Sequence, residues 1–270
     1  MFIASRMMLA KAGASKEQNF FQDLVDDGLD TNCVLCLDAG SATSYDGSSQ
    51  NFVDLTANGN DFYLGSSGTP TTDDPTFNGT SGNLSSSEYF QTDGGDVMDL
   101  QGANPTWVDN MHKNGATWTA LFWVYIVNPP GSTNYSLWGT SGGTNGIRVV
   151  LNDADKYQFL VDTGHLNTSS PSVAAGYAGW NLVGWSIDEN GGAAASFFYR
   201  NGVETTFNSA FSSPSAAAAT AKLELFGHGN SASTLCYTGT RIASAQFFDT
   251  NLTAANVDTI WATQKGRFGL

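Results

Sequence analysis

Residues 117–127 read TWTALFWVYIV, a run in which nearly every residue is apolar. In a β-strand, successive side chains point to opposite faces of the sheet, and here both alternating sets of positions are apolar. A strand with two apolar faces must be covered on both sides. The stretch is therefore predicted to be a central strand of a layered β-structure.

Shorter apolar runs follow this strand and are separated by clusters of Gly, Asn, Asp and Ser, a pattern typical of an antiparallel sandwich. Within residues 197–207, Asn201-Gly202 supplies the positive φ angles of a tight type I′ turn. This segment is predicted to be a hairpin formed by 197–200 and 203–207. The other predicted strands are 157–161, 181–187, 223–226 and 241–248.

A helix is predicted after the last of these strands, over residues 253–263. Thr253 is a suitable N-cap, because its hydroxyl can accept a hydrogen bond from a backbone N–H of the first turn. Val257, Ile260 and Trp261 form one apolar stripe at helical spacing. We expect this stripe to dock on the edge of the sandwich.

The segment from Cys33 to Asp61 reads CVLCLDAGSATSYDGSSQNFVDLTANGND. It resembles the opening of laminin-G-like domains in phage and bacterial surface proteins, with a strand ending in Leu-Asp-Ala, a Tyr, and then Asp-Leu-Thr-x-Asn-Gly-Asn. Later parts of the pattern follow in order at 119–126, 180–186, 199–203, 225–229 and 239–261. The resemblance covers residues 33–263. It implies an all-β, two-sheet antiparallel jelly-roll sandwich of the concanavalin A-like kind, with a short N-terminal helical or extended anchor and a short C-terminal helix.

The charge distribution separates the start of the chain from the rest. Residues 1–16 hold three basic residues and no acid, whereas the remaining 254 residues hold eight bases and 25 acids, giving net charges of +3 and −17. We therefore expect an anchor segment over 1–31 and the jelly roll over 32–270. Phe20 and Phe21 are expected to be buried against other chains, together with the rest of this segment. The alternatives are a disordered leader or a helix that folds back on the sandwich. The residues expected to make most of this assembly contact are Phe2, Ile3, Arg6, Met7, Met8, Leu9 and Lys11.

The net charge and the lengths of the apolar runs limit the kinds of partner and the location that we expect for the protein. The net charge of −14 disfavours nucleic acid and anionic membranes, because both bind basic surfaces. No apolar run approaches the roughly 20 residues of a membrane span. The apolar stretch near the N-terminus is interrupted by Arg6 and Lys11 and is shorter than the roughly 7–15 residues of a signal-peptide core. We therefore expect the protein to fold in a cytoplasm.

The resemblance also suggests where the protein acts, because phage structural proteins often carry this domain after a short N-terminal segment of this kind. It implies a virion structural protein, a capsid decoration, head spike, head fibre or tail fibre, assembled in the host cytoplasm. The expected partners are other virion proteins through the N-terminal segment, further copies of the chain in a homo-oligomer, and host-surface glycans. The alternative is a bacterial laminin-G-like adhesion protein that binds carbohydrate and is not part of a virion.

Catalysis is not expected. Laminarinase-type enzymes with this fold use Glu-x-Asp-x-(x)-Glu on one strand, but the nearest two of the five glutamates, Glu189 and Glu204, lie 15 residues apart. Two carboxylates from different strands remain an alternative. Residues 139–143 fit the G-x-S-x-G pattern of serine hydrolases, yet they are followed by the strand-like IRVVL rather than by a helix. A glycine-rich hairpin loop is the simpler interpretation.

A calcium ion is the cofactor that the resemblance allows, because relatives often hold Ca²⁺ at the sandwich rim and hard cations prefer clustered oxygens. Asp54, Asn58, Asn60 and Asp61 supply such a cluster, with Asp38 nearby in the chain. The alternative is a plain turn in which these side chains bond to their own backbone.

Cys33 and Cys36 form a C-x-x-C pattern inside a predicted strand. Positions three apart in a strand face opposite ways, so we expect buried reduced thiols and no zinc site.

Four aromatic residues are candidates for glycan contact, because they lie near predicted strand ends, where an exposed ring can stack on a pyranose. They are Trp107, Tyr135, Trp138 and Tyr177. For each of them a position in the core is the alternative, since tryptophan in particular is more often a core residue.

Overall fold

The computed structural model describes residues 17–127, 135–151, 157–161, 179–207, 216–229 and 235–270, which form fifteen strands and three α-helices. The helices are α1 (Phe20–Asp26), α2 (Thr106–Asn110) and α3 (Ala254–Gln264). The strands are β1 (Cys33–Asp38), β2 (Asn51–Phe52), β3 (Phe62–Leu64), β4 (Thr76–Asn78), β5 (Tyr89–Gln91), β6 (Met98–Leu100), β7 (Thr117–Tyr125), β8 (Tyr135–Gly139), β9 (Ile147–Leu151), β10 (Tyr157–Val161), β11 (Trp180–Asp188), β12 (Phe197–Arg200), β13 (Val203–Thr206), β14 (Glu224–Leu225) and β15 (Arg241–Phe248).

These strands form two antiparallel sheets packed face to face, which confirms the predicted jelly-roll sandwich. The larger sheet has the order β13-β12-β11-β7-β15-β5-β4, and β1 also pairs with β15. The smaller sheet has the order β10-β9-β8-β14-β6-β3-β2. Within the described ranges, no helix has the length and apolar character of a membrane span.

The strand β7, which contains the apolar run, lies in the middle of the larger sheet. β7 pairs with β11 on one side and with β15 on the other. Its even-numbered side chains, such as Phe122, enter an inner cluster between the two sheets. Its odd-numbered side chains, such as Trp123, enter an outer cluster that covers the other face of the larger sheet. Both faces are therefore buried, as predicted.

The local turn and cap signals in the sequence are also confirmed. Asn201 and Gly202 have φ angles of 49° and 84° and join β12 to β13. Thr253 caps α3 by accepting a hydrogen bond from the backbone N–H of Asn256 at 3.2 Å. The α3 side chains Val257 and Ile260 are fully buried in the outer cluster, with Trp261 packed against it.

The expectation that the two strand cysteines face opposite ways is wrong. The pairing of β1 with β15 shifts register between Cys33 and Leu35, and this irregularity adds a residue to the alternation. As a result Cys33 and Cys36 both lie in the outer cluster. Both are buried free thiols, as is Cys236, and burial raises the pKa of Cys36 well above its ordinary value.

The helix α1 differs from the expected role of its segment. Asn19 caps it, and Phe20 and Leu24 are buried in the outer cluster of the same chain, with Phe21 packed against that cluster. The expectation that Phe20 and Phe21 are buried against another chain is therefore wrong. The anchor residues Phe2, Ile3, Arg6, Met7, Met8, Leu9 and Lys11 lie outside the described residues.

Candidate functional site

A cleft of about 490 Å³ opens at the rim of the sandwich where β7 begins. One wall is α2, and the opposite side is formed by the first residues of β7 and by the residue that follows β15. We call it the Trp107 cleft, and its principal lining residues are Trp107, Asn110, Met111, Thr117, Trp118 and Asp249.

The position of α2 is fixed by packing and by hydrogen bonds to other elements. Val108 is fully buried in the inner cluster, and Trp107 lies against Phe247 with ring centroids 5.5 Å apart. The indole N–H of Trp118 donates to the carbonyl of Met111 at 2.8 Å, which ties the end of α2 to β7. The Trp107 ring is therefore held on a rigid support and is only half-buried.

Two polar side chains stand beside this ring. Asn110 and Asp249 are both exposed and both line the cleft. The side-chain carbonyl of Asn110 (Oδ1) accepts a hydrogen bond from Lys113 Nζ at 3.0 Å, whereas the Asp249 carboxylate has no recorded partner among the described residues. Both can thus bond to a ligand: Asp249 as an acceptor and Asn110 through its amide donors.

This combination limits the chemistry of the cleft. An aromatic ring supplies an apolar face, and an amide and a carboxylate supply directional hydrogen bonds, as in small-molecule sites of this size. The cleft is neither a basic surface nor a long apolar groove. It suits a compact ligand that carries several hydroxyls and one apolar face, which describes a pyranose ring.

The other three residues predicted to contact glycans do not line the Trp107 cleft within the part of the chain that the structure describes. Trp138 is fully buried and packs edge-on against Trp118 and Trp185 in the inner cluster, so its prediction as a glycan residue is wrong. Tyr135 is half-buried beside Tyr237 with centroids 5.0 Å apart and does not line the Trp107 cleft. Tyr177 lies outside the described residues.

The loop predicted to hold calcium is fixed by hydrogen bonds within the loop and to β1. Asp54 Oδ1 accepts from the backbone N–H groups of Cys36 and Thr56, at 2.9 and 3.0 Å. Asp54 Oδ2 accepts from Thr56 Oγ1 at 2.6 Å and from the backbone N–H of Asn60 at 3.0 Å. Asp61 Oδ1 accepts from the backbone N–H of Asp54 at 2.9 Å.

The asparagines of this loop act in the same way. The side-chain amide groups of Asn58 and Asn60 both donate to the carbonyl of Val34, at 3.3 and 2.6 Å. No group of three or more His, Cys, Asp or Glu side chains in the described part of the chain is arranged to hold a metal. These bonds support the turn interpretation, and calcium binding by Asp54, Asn58, Asn60 and Asp61 stays a prediction.

Asp38, which precedes this loop in the chain, has a structural partner instead. It is fully buried, and both of its carboxylate oxygens accept hydrogen bonds from Arg267. The expectation that it helps to hold a cation is therefore not supported by its surroundings.

Two carboxylates from different strands do meet. Glu224 in β14 lies opposite Asp99 in β6, and the two side chains share a hydrogen bond. Burial, and then the charge of Asp99, raise the pKa of Glu224 to about 7. Burial likewise raises the pKa of Asp99. The pair therefore holds a proton up to a higher pH than an isolated carboxyl group does.

This pair is not arranged like the carboxylates of a retaining glycosidase, which stand about 5 Å apart with a sugar between them. Here the two groups bond to each other, and Glu224 also accepts from the backbone N–H groups of Gly229 and His228. Glu224 is only 9% exposed. The turn that follows β14 encloses its carboxyl group, so access for a substrate is poor.

Trp107 is among the residues predicted from the sequence to contact glycans, whereas Asn110 and Asp249 are not. No periodicity or motif distinguishes those two residues, since exposed Asn and Asp occur in many loops of this chain. They become a site only because the sheet topology brings the end of β15 beside α2 and the start of β7.

Comparisons with known proteins give the fold. No protein-family model matches this sequence, and neither does any curated protein. Among solved structures, Trypanosoma rangeli sialidase in complex with sialic acid is similar at a TM-score of 0.57 and 11% identity, over 87% of this chain and 33% of that chain. The binding domain of botulinum neurotoxin serotype G is similar at a TM-score of 0.57 and 14% identity, over 87% and 51%.

A third similar structure is the binding domain of botulinum neurotoxin DC in complex with SialylT, at a TM-score of 0.55 and 13% identity, over 87% of this chain and 52% of that chain. This chain thus spans about a third of the sialidase and about half of each toxin domain. At these identities the likeness shows the shared sandwich fold alone.

Proposed function

We propose that this chain is a carbohydrate-binding protein and that the Trp107 cleft is its binding site. The observation that carries the proposal is the placement of a rigidly supported, half-buried tryptophan beside an exposed carboxylate and an exposed amide in one cleft. Trp107 would stack on the apolar face of a sugar, while Asp249 would accept hydrogen bonds from its hydroxyls.

The similar folds support this choice. The sialidase structure holds sialic acid and one toxin domain is in complex with SialylT. Sandwiches of this architecture therefore occur in proteins that bind sugars. The similar folds support sugar binding by analogy, and binding at the cleft itself is tested directly.

We propose further that the chain binds sugars without cleaving them. The sequence lacks closely spaced glutamates, and the buried Asp99–Glu224 pair is bonded to itself and to a backbone turn. The expected result is no hydrolysis of β-glucans, agars or alginates. Turnover that disappears on mutation of a single Asp or Glu would contradict this.

The proposed setting is a phage particle, with the sandwich displayed outward and the N-terminal segment joined to other virion proteins. Support comes from the resemblance of residues 33–263 to laminin-G-like domains in phage surface proteins and from the +3 charge of residues 1–16 beside an acidic body. A bacterial adhesion protein outside a virion is the second candidate, favoured by the same resemblance. Immunogold labelling of purified particles distinguishes the two.

The cleft is tested by screening the full chain on a glycan array and then titrating the best ligand. Asp249→Ala and Asn110→Ala change exposed residues and should leave the melting temperature unchanged. Each should weaken binding about tenfold, the effect of losing one hydrogen bond to a charged or well-placed polar group.

Glu204→Ala, an exposed acidic residue of β13, is the matched control and should bind as the wild type does. If no glycan binds, or if the cleft variants bind as well as the control, the proposed function is wrong.

A further inference from the structure

A second polar surface lies on the outer face of the larger sheet, at the opposite end of β7 from the Trp107 cleft. Four residues there are aligned across neighbouring strands by the register of the sheet. They are Trp180 in β11, Tyr125 in β7, Arg241 in β15 and Gln91 in β5. Tyr89, two positions before Gln91, adds a further ring. We call these residues the Arg241 surface, and all five are half-buried.

The guanidinium group of Arg241 is held in place from three sides. Its Cζ atom lies 4.6 Å from the ring centroids of both Tyr89 and Tyr125. Its Nε donates to Gln91 Oε1 at 3.1 Å. Trp180 packs against both tyrosines, with centroids 5.6 and 5.9 Å away, and so keeps the rings in position. The arginine is therefore ordered before any ligand arrives.

A second arginine of the same chain shows what such an arrangement binds. Arg267 lies with its Cζ 4.3 Å from the ring centroid of Phe20, and its Nη1 donates to both oxygens of Asp38 at 2.8 and 2.9 Å. Arg241 has the aromatic neighbours but no carboxylate partner within the ranges that the structure describes. In the described part of the chain, the hydrogen bond from its Nε to Gln91 is the one recorded for its side chain.

An arginine without an acid partner is notable in a chain with 25 acidic and 11 basic residues. A guanidinium presents a planar fork of N–H donors that matches the two oxygens of a carboxylate. Here the Nε edge is occupied by Gln91, so the terminal nitrogens are left to face a ligand. Fixing the fork in advance reduces the ordering cost of binding.

We propose that the Arg241 surface binds the carboxylate of an acidic sugar, a hexuronic or sialic acid unit. Arg241 binds the carboxylate, and Trp180 and Tyr125 contact the apolar side of the sugar ring. The surface and the Trp107 cleft are at opposite ends of β7, so one can bind its ligand even if the other does not.

An acidic peptide offers the same carboxylate, but the charge of the protein disfavours it. A body of net charge −17 repels a ligand that carries many negative charges, whereas a sugar chain with a single carboxylate experiences much less repulsion. The rings beside Arg241 also supply the apolar contact that a pyranose needs.

The test is a titration of the ¹⁵N-labelled full chain with glucuronic acid, with glucose as the neutral analogue, followed through the indole N–H signal of Trp180. Glucuronic acid should shift this signal in a saturable way and glucose should bind at least about tenfold more weakly. Arg241→Gln should weaken glucuronic acid binding by about the same factor. Arg200→Gln removes the same charge from β12 and should change the affinity less than about twofold.

A second variant keeps the arginine and the fold. Gln91→Glu places a carboxylate where Gln91 now accepts from Nε, so it should satisfy Arg241 internally and abolish sugar binding without lowering the melting temperature. The proposal is wrong if glucuronic acid and glucose bind equally, or if Gln91→Glu and Arg241→Gln bind as the wild type does. It is also wrong if a hexaglutamate peptide binds at this surface and glucuronic acid does not.

Discussion

Arg267 and Asp38 join the last turn of the chain to its first strand. Nη1 of Arg267 donates to both oxygens of Asp38, and the arginine and aspartate side chains are 8% and 0% exposed. Asp38 also accepts from the backbone N–H groups of Phe20 and Gly40, at 3.1 and 2.9 Å. Gly40 leaves the space for this contact, since a Cβ there would lie 2.0 Å from Nη2 of Arg267. One buried carboxylate thus connects α1, β1 and the C-terminal turn.

The first prediction concerns this pair. Arg267→Ala removes the partner of a buried carboxylate and should lower the free energy of unfolding by about 3–5 kcal/mol. Urea denaturation measures the change. Arg200→Ala is the control and should cost less than about 1 kcal/mol, because Arg200 is half-buried and has no recorded carboxylate partner among the described side chains. Equal effects of the two substitutions would mean that the Asp38 contact contributes little.

The stability of the protein should depend on pH through Glu224. The pKa of Glu224 is about 7 in the folded protein against an ordinary value of 4.5, because the group is buried beside Asp99. A raised carboxyl pKa means that the folded state holds its proton more tightly than the unfolded state does. The contribution of Glu224 to the free energy of unfolding is therefore highest below pH 4.5. It falls by up to about 3 kcal/mol as the pH rises toward 7.

The urea midpoint should accordingly be lower at pH 8 than at pH 5.5, and Glu224→Gln should reduce this difference. Burial also raises the pKa values of Asp23 and Asp96 to about 6, with the same sign. Hydrogen bonds from Ser85 and its neighbours lower the pKa of Glu88. The contribution of Glu88 to the stability of the protein is therefore lost in stronger acid, the opposite pH dependence. A midpoint that rises from pH 5.5 to 8 would contradict the assignment.

The third prediction separates the N-terminal segment from the sandwich. Deletion of residues 1–16 leaves Glu17, which binds the 41–43 loop, and the buried Phe20 and Leu24 in place. The shortened chain should keep its melting temperature and lose its association with other chains or with the particle. If it assembles as the full chain does, the anchor hypothesis is wrong.

Deletion of residues 1–28 provides the contrast, because it also removes α1. Burial of a large apolar side chain contributes about 1.5–3 kcal/mol, so the loss of Phe20 and Leu24 should lower stability by several kcal/mol. A melting temperature that does not fall would mean that α1 is not part of the stable fold.

The fourth prediction decides between a turn and a metal site in the 54–61 loop. Asp54→Ala removes four hydrogen bonds and should destabilise the fold equally in calcium and in EDTA. Thermal melts of the wild type and the variant in both buffers measure this. If EDTA instead lowers the wild-type melting temperature and has no effect on the variant, the loop binds calcium, because a ligand that binds only the folded state stabilises it.

The sequence predicted the sandwich well because its strongest signals are local. The two-faced strand around Phe122 and Trp123, the Asn201-Gly202 turn and the Thr253 cap each depend on residues close together in the chain. The pairing irregularity at Cys33 could not be predicted, since it depends on how β1 meets a strand at the other end of the sequence.

The candidate site was only partly predictable for a related reason. Trp107 and Trp138 look alike in the sequence, and only the packing of the two sheets buries one and leaves the other at a cleft. The sequence likewise does not distinguish Arg241 from Arg267. In the fold Arg267 pairs with Asp38, whereas Arg241 has no carboxylate partner among the described residues. Side chains that converge from distant strands leave no pattern within a single stretch of sequence.

The place of β15 in the larger sheet determines when this protein can fold during its synthesis. β15 follows all the other described strands in the chain, yet it pairs with β7 on one side and with both β1 and β5 on the other. Until residues 241–248 are made, β1 has no partner in the sheet, and the apolar faces of the earlier strands stay uncovered. Such long-range pairing folds slowly and leaves the nascent chain prone to aggregate. We therefore expect the yield of folded protein to rise with added chaperones and at a lower growth temperature. These conditions should affect the yield more than the stability of the finished fold does.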